Sequence, residues 1–158
     1  MVTTVKYTEE QVDVELTHTN LGESNYVAMA FSDDAKMGKD LVFACNYLWD
    51  FLSLFTGIKV FWNPGNPGTT PSERQPDQDR ILIGPSSRDV DGSTVCKFSL
   101  NKDVTIQDNK FDLHKGHHIL VSTGPGKSTK LEYHNENKIA STSKFGKDLK
   151  HKGNEQVS

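Results

Sequence analysis

Residues 26–45 read YVAMAFSDDAKMGKDLVFAC, and this stretch decides the fold. Tyr26, Ala28 and Ala30 alternate with Val27, Met29 and Phe31, the period of two that marks a β-strand. Both sets are apolar, so the strand is expected at the centre of a sheet, covered on both faces. SDDAKMGKD reads as a tight polar loop and LVFAC as the next strand. Asp33 and Asp34 fall in that turn, where aspartate serves local hydrogen bonding rather than catalysis.

The same period extends outward. In QVDVEL, Val12, Val14 and Leu16 alternate with polar residues, and IKVFW, ILIG, STVCKFSL, HHILVSTG and KLEYH read as further strands. NYLWDFLSLFTG is ambiguous, because Leu48, Phe51, Leu52 and Phe55 fit a helical stripe while LWDFLSLF also fits strands around a turn. Residues 63–80, with Pro64, Pro67, Pro71 and Pro76 among them, read as a long loop. Many short strands between turn signals predict an all-β fold, an antiparallel immunoglobulin-like β-sandwich over residues 1–143. Residues 144–158 are polar and charged and read as a C-terminal tail.

Composition narrows the function classes. At 158 residues the chain is one domain long, with 34% hydrophobic residues and a mean hydropathy of −0.59. No run approaches the roughly 20 apolar residues of a spanning helix. The hydrophobic share is low, so part of the chain is expected to carry the core. A net charge of −3 gives no basic field for nucleic acid. No P-loop, GxSxG, HExxH or GxGxxG is present. No signal peptide is visible, since Met1 leads straight into VTTVKYTEEQ. Cys45 and Cys96 form no CxxC and lie in strand-like runs. Two buried thiols and one disulfide both fit. A disulfide closing about 50 residues is worth roughly 4 kcal/mol in the chain-entropy model, and it implies an oxidising compartment.

Two residue types carry the possible chemistry. Met37 sits in a polar turn between Lys36 and Gly38, where core packing would not ask for it. The following glycine permits close backbone approach, and a thioether can ligate a soft metal or a haem iron. His114, His117 and His118 are close in sequence, but adjacent strand residues point to opposite faces. His117 and His118 therefore cannot easily share one ion. His117 is the more inward of the two, sharing a face with Ile119 and Val121.

The stretch Tyr26–Cys45 resembles the central signature of DOMON domains: an apolar strand ending in A-F-S, an acidic loop with Met-Gly, and a second strand with Asp near its start and Cys near its end. STVCKFSL, FDLHKGHHILVSTGP and KLEYHNENKIASTS resemble later segments of that family. The likeness runs from about Val12 to Ser143, and is greatest to the DOMON modules of ferric-chelate-reductase and stromal-cell-derived-receptor proteins. Such modules lie outside the membrane, attached to a transmembrane di-haem cytochrome b module. The resemblance implies an extracellular or lumenal electron-transfer domain that holds haem b between a methionine and a histidine. Met37 in KMGKD matches the first ligand and His134 in LEYHNEN the second, with His117 or His118 as alternatives. Met29, Phe31 and Ile119 are the expected apolar walls of the haem pocket, and Cys45–Cys96 the expected disulfide. Any ferric reductase activity would belong to the full assembly, with ferric iron or another acceptor downstream. A haem-free module that stacks a carbohydrate or another small ligand on Tyr47, Trp49 and Trp62 is the alternative. A structural or adhesion sandwich is a third reading, marked by an exposed apolar patch and no pocket.

Overall fold

The computed structural model describes residues 2–19, 25–34, 36, 38–46, 57–65, 72–73, 80–127, 130–131, 138–146 and 154–157. In chain order the strands are β1 (Val2–Tyr7), β2 (Gln11–Thr19), β3 (Asn25–Ser32), β4 (Lys39–Cys45), β5 (Ile58–Pro64), β6 (Ser72–Glu73) and β7 (Ile83–Val90). There follow β8 (Ser93–Asn101), β9 (Asp103–Ile106), β10 (Asn109–Asp112), β11 (His118–Lys127), β12 (Lys130–Leu131), β13 (Lys138–Ala140) and β14 (Asn154–Val157). They form two antiparallel sheets and a separate ribbon. One sheet has the order β14-β1-β2-β8-β7, the other β12-β11-β3-β4-β5-β6 with β13 also on β11, and β9–β10 is the ribbon. The fold is an all-β antiparallel sandwich. Among the described residues no helix is long and apolar enough to cross a membrane.

The two sheets close on one core. Val12, Val14, Leu16, Phe98 and Leu100 enter it from the first sheet, and Met29, Phe31, Phe43, Val60 and Ile119 from the second. Register aligns these sets: Val14 pairs with Phe98 and Leu16 with Cys96, while Met29 pairs with Phe43 and Val121. β3 runs between β11 and β4 and is buried on both faces, as its double apolar alternation predicts. Its second face (Tyr26, Ala28 and Ala30) joins Val42, Ala44, Phe61 and Leu120 in a smaller apolar cluster. Cys45 at the end of β4 and Cys96 on β8 are joined, Cα to Cα 6.6 Å, so the covalent link crosses from sheet to sheet.

The turns follow local chemistry. β7 and β8 meet at Asp91-Gly92, with φ of 52° and 82°, the left-handed pair a two-residue hairpin requires. β9 and β10 meet at Gln107-Asp108, with φ of 51° and 61° and no glycine. Asn109 steadies that glycine-free turn by donating from its side-chain amide to the Gln107 carbonyl at 2.8 Å.

Several elements differ from the sequence reading. The chain after Ser143 is not wholly a free tail: Phe145 is buried and β14 pairs with β1. Phe145 is an apolar residue in a mostly polar run, and burying it in the core anchors that segment. The strand expected at ILIG begins only at Ile83 and continues through polar residues to Val90. β1, β9 and β10 also lie in runs too mixed in polarity to stand out. KLEYH contributes β12 at Lys130–Leu131; its remaining residues lie outside the described set, as does most of the segment 46–57.

Candidate functional site

A cleft of about 660 Å³ opens at the end of the sandwich where the β3–β4 loop, the β9–β10 ribbon and the turn before β11 converge. Its lining includes Asp33, Lys39, Trp62, Val104, Phe111 and His117. The ribbon is anchored over this end by backbone. Lys102 donates to the Glu10 carbonyl at 2.9 Å and Leu113 to the Lys102 carbonyl at 2.7 Å. Val104, Ile106 and Leu113 sink into the core beneath it. Trp62 on β5 and Phe111 on β10 meet edge to face across the cleft, with centroids 6.2 Å apart. That contact gives the cleft one apolar wall. Asp103, Asp112 and Asp33 face Lys39, Lys110 and Lys115 around the remainder, so neither charge sign dominates.

His117 is the chemically distinctive group. Its side chain is only 7% exposed, and its ring packs edge-on against Phe31 at 6.1 Å. The backbone holds it on both sides: the His117 amide donates to the Phe145 carbonyl at 2.9 Å, and the Phe145 amide to the His117 carbonyl at 2.8 Å. Nδ1 lies 2.9 Å from the Lys115 carbonyl, which can only accept, so Nδ1 carries the proton. Burial pushes the imidazole below its ordinary pKa, against the raising effects of the Lys115 carbonyl and Asp33. The ring is therefore neutral near pH 7, and among the described residues no donor hydrogen-bonds the Nε2 lone pair. Nε2 stands 3.6 Å from Asp33 Oδ1, an exposed carboxylate. With the ring neutral two acceptors face each other there; protonation of Nε2 would turn the contact into an ion pair. A carbonyl-fixed tautomer with an open Nε2 is the usual posture of a metal-ligating histidine.

Gly146 supports this posture. A Cβ at that position would lie 2.9 Å from the His114 carbonyl oxygen and 3.1 Å from the Lys115 carbonyl. The chain after Phe145 thus presses against the turn whose carbonyl orients His117.

The sequence-nominated residues are distributed unevenly. His118 points away from the core, with Nδ1 3.0 Å from the Ser141 carbonyl, and does not line the cleft. Met29, Phe31 and Ile119 lie in the core between the sheets; Phe31 reaches the site through its contact with His117, and none of these residues lines the cleft. Met37 and His134 lie outside the described residues, as do Tyr47 and Trp49. The flanks of Met37 are described, and they border the cleft at Asp33 and Lys39. Sequence reasoning read Asp33 only as a turn residue and passed over Phe111, Lys115, Phe145 and Gly146 as site residues. Only Phe145, apolar in a polar run, carried a signal. Among the described residues, no group of three or more His, Cys, Asp or Glu side chains is placed to hold a metal ion.

No family model and no solved structure matches the chain. The chain is similar to "Putative ferric-chelate reductase 1 homolog" of Drosophila melanogaster, with 29% identity over 118 residues. The matched region is 73% of this chain and 17% of that protein. The sandwich is thus related to one part of a much longer protein named for ferric-chelate reduction.

Proposed function

We propose that the chain is a DOMON-type electron-transfer domain that binds haem b at this cleft. Met37 and a histidine would be the axial ligands, and the domain would serve as the extracellular part of a transmembrane ferric reductase. The observation that carries the reading is His117: a buried neutral imidazole, its Nδ1 committed to a carbonyl, its Nε2 turned to a cleft beside the Met37 loop. His117 is therefore the favoured histidine ligand. His134, which the family resemblance matches, remains the competitor in the test below. Trp62, Phe111 and Val104 would exclude water from one face of the group. Lys39, Lys110 and Lys115 offer cations for its carboxylates. A haem saturated by methionine and histidine supplies outer-sphere electron transfer, at a higher potential than bis-histidine ligation gives. A transmembrane di-haem cytochrome b module would be the donor and ferric iron the acceptor.

The competing reading is a haem-free module for a carbohydrate or another small ligand. The Trp62–Phe111 pair in the cleft favours it.

Haem reconstitution decides between them. The expected product is a six-coordinate, low-spin spectrum that is lost in Met37→Ala and in His117→Ala and retained in His134→Ala. Loss in His134→Ala with retention in His117→Ala would move the ligand to His134. An unchanged spectrum in all three variants would overturn the ligand set. A colourless protein whose Trp fluorescence answers to sugar would establish the haem-free module.

A further inference from the structure

The chain leaving β13 departs from the β11 ladder and rejoins it at His117. β13 itself is in register, with Leu120 opposite Ala140. At Ser141 the pattern changes. Its amide still donates to the Ile119 carbonyl at 2.9 Å, but the Ile119 amide donates to the Ser141 hydroxyl, also at 2.9 Å. That hydroxyl gives its own hydrogen to the Ser143 carbonyl at 2.8 Å. The strap, residues 141–146, then returns to β11 at an isolated bridge between Phe145 and His117. In unbroken register Ser143 would face His117. Instead, three steps along β11, from Leu120 to His117, are matched by five along the other chain.

The detour bears on the His117 ring. Extra residues in a ladder beside a site re-aim a side chain or end a pairing. Here they bring Phe145, 6% exposed, into the core and set Gly146 against the turn before β11. Gly146 has no positive φ, so backbone conformation does not ask for glycine there. Close approach does: a Cβ would lie 2.9 Å from the His114 carbonyl oxygen and 3.1 Å from the Lys115 carbonyl carbon and oxygen. These neighbours are backbone and cannot swing aside as a side chain can. One of them is the carbonyl that receives the Nδ1 hydrogen of His117. The same turn is braced by Asp112, whose Oδ1 accepts the His114 amide at 3.1 Å and whose carbonyl accepts the Lys115 amide at 3.1 Å. The Lys115 carbonyl is thus held between Asp112 and Gly146. The alternative His117 tautomer, with its proton on Nε2, would set two lone pairs against each other at that carbonyl.

We propose that Phe145 and Gly146 are positioning residues that commit the His117 ring to one tautomer, with Nε2 as an electron-pair donor facing the cleft. This role rests on the haem reading for what Nε2 binds, whereas the clamp itself can be measured without haem. A free imidazole exchanges between its two tautomers. A ring already held in the donor form loses no free energy reaching it when a ligand binds.

The experiment compares wild type, Gly146→Ala, Phe145→Ala and Phe145→Leu, with nitrogen-15 in the histidine rings, each with and without haem. In haem-free protein held well above the ordinary histidine pKa, the ring-nitrogen shifts report the tautomer of each histidine. Wild type should show the His117 proton on Nδ1. Gly146→Ala and Phe145→Ala should shift its tautomer ratio about fivefold towards Nε2, the loss of one neutral hydrogen bond. Phe145→Leu, which keeps an apolar anchor, should stay with wild type. His118 is the internal reference, because its Nδ1 lies 3.0 Å from the Ser141 carbonyl in the same strap. A general loosening of the strap would move both rings, so an equal change at His117 and His118 in Gly146→Ala would overturn the clamp. So would a His117 ratio unchanged in the alanine variants, or a Phe145→Leu ratio shifted as far as that of Phe145→Ala. In haem-loaded protein, Gly146→Ala should bind haem about fivefold more weakly than wild type. A shifted tautomer with unaltered haem affinity would remove His117 as the ligand and leave the clamp standing. Wild type that takes up no haem, with the tautomer shift present in the variants, would refute the haem reading and again leave the clamp. Should either alanine variant fail to fold, the other carries the test.

Discussion

At the scale of single residues, burial sets the chemistry on both faces of β3. Tyr26 lies on the second face, 2% exposed, and desolvation pushes its phenol up to about 12 from an ordinary value near 10. Between those values the folded chain keeps a proton that the unfolded chain has released, so folding is favoured by acid in that window. The contribution of Tyr26 is complete below pH 10 and declines as pH rises towards 12. Urea midpoints measured across pH 9–12 should fall more steeply for wild type than for Tyr26→Phe, and parallel slopes would contradict the assignment. His117 illustrates how much of a site one residue's context decides. Its inward face was legible from the sequence by counting from Ile119 and Val121. Its tautomer was not, because that depends on the Lys115 carbonyl and on Phe145, which lies far along the chain.

At the scale of elements, local pattern and tertiary pairing divide the credit. β3 and β4 were readable because both faces are apolar, and β2 because one is. β7 was not, because pairing with β8 recruits the polar run SSRDV. Gly84 at φ 56° and Pro85 sit at the irregularity between Ile83 and Ser86, where a strand tolerates both. The β9–β10 ribbon was missed for a similar reason: its strands are four residues each, and only Val104 and Ile106 are fully buried. Its turn holds Gln107 and Asp108 in the left-handed region, where a side chain is unfavourable. Asp108→Gly should therefore stabilise the domain by about 0.5–1 kcal/mol, read as a higher urea midpoint at an unchanged m-value. A lower midpoint would mean that the Asp108 side chain contributes more than its backbone costs.

At the scale of the molecule, two packed sheets and one covalent bridge account for the architecture. The low hydrophobic share of the sequence left open how a full core could be built. The structure answers that the apolar residues concentrate in β2, β3, β4, β5, β8 and β11, while the ribbon and long connections hold the polar surplus. Cys45–Cys96 spans a sequence separation of 51. In the chain-entropy model, replacing both by Ala should cost about 4 kcal/mol of unfolding free energy. Denaturant unfolding of the double variant, beside a thiol count on the unreduced wild-type protein, checks this. An unchanged midpoint together with two free thiols would dismiss the bridge.

The pairing registers also orient the molecule. Thr3 pairs with Val157 on one side and with Leu16 on the other, and Leu16 pairs with Cys96, whereas Asp33, Lys39 and His117 stand at the opposite pole. The paired terminal strands and the cleft are thus at opposite ends. A longer polypeptide joined through either terminus would hold the domain by its disulfide pole and leave the cleft facing outward. On the electron-transfer reading proposed above, a redox partner borne on that same polypeptide would have to fold back along the length of the sandwich to reach the cleft, while a freely diffusing one would meet it head-on.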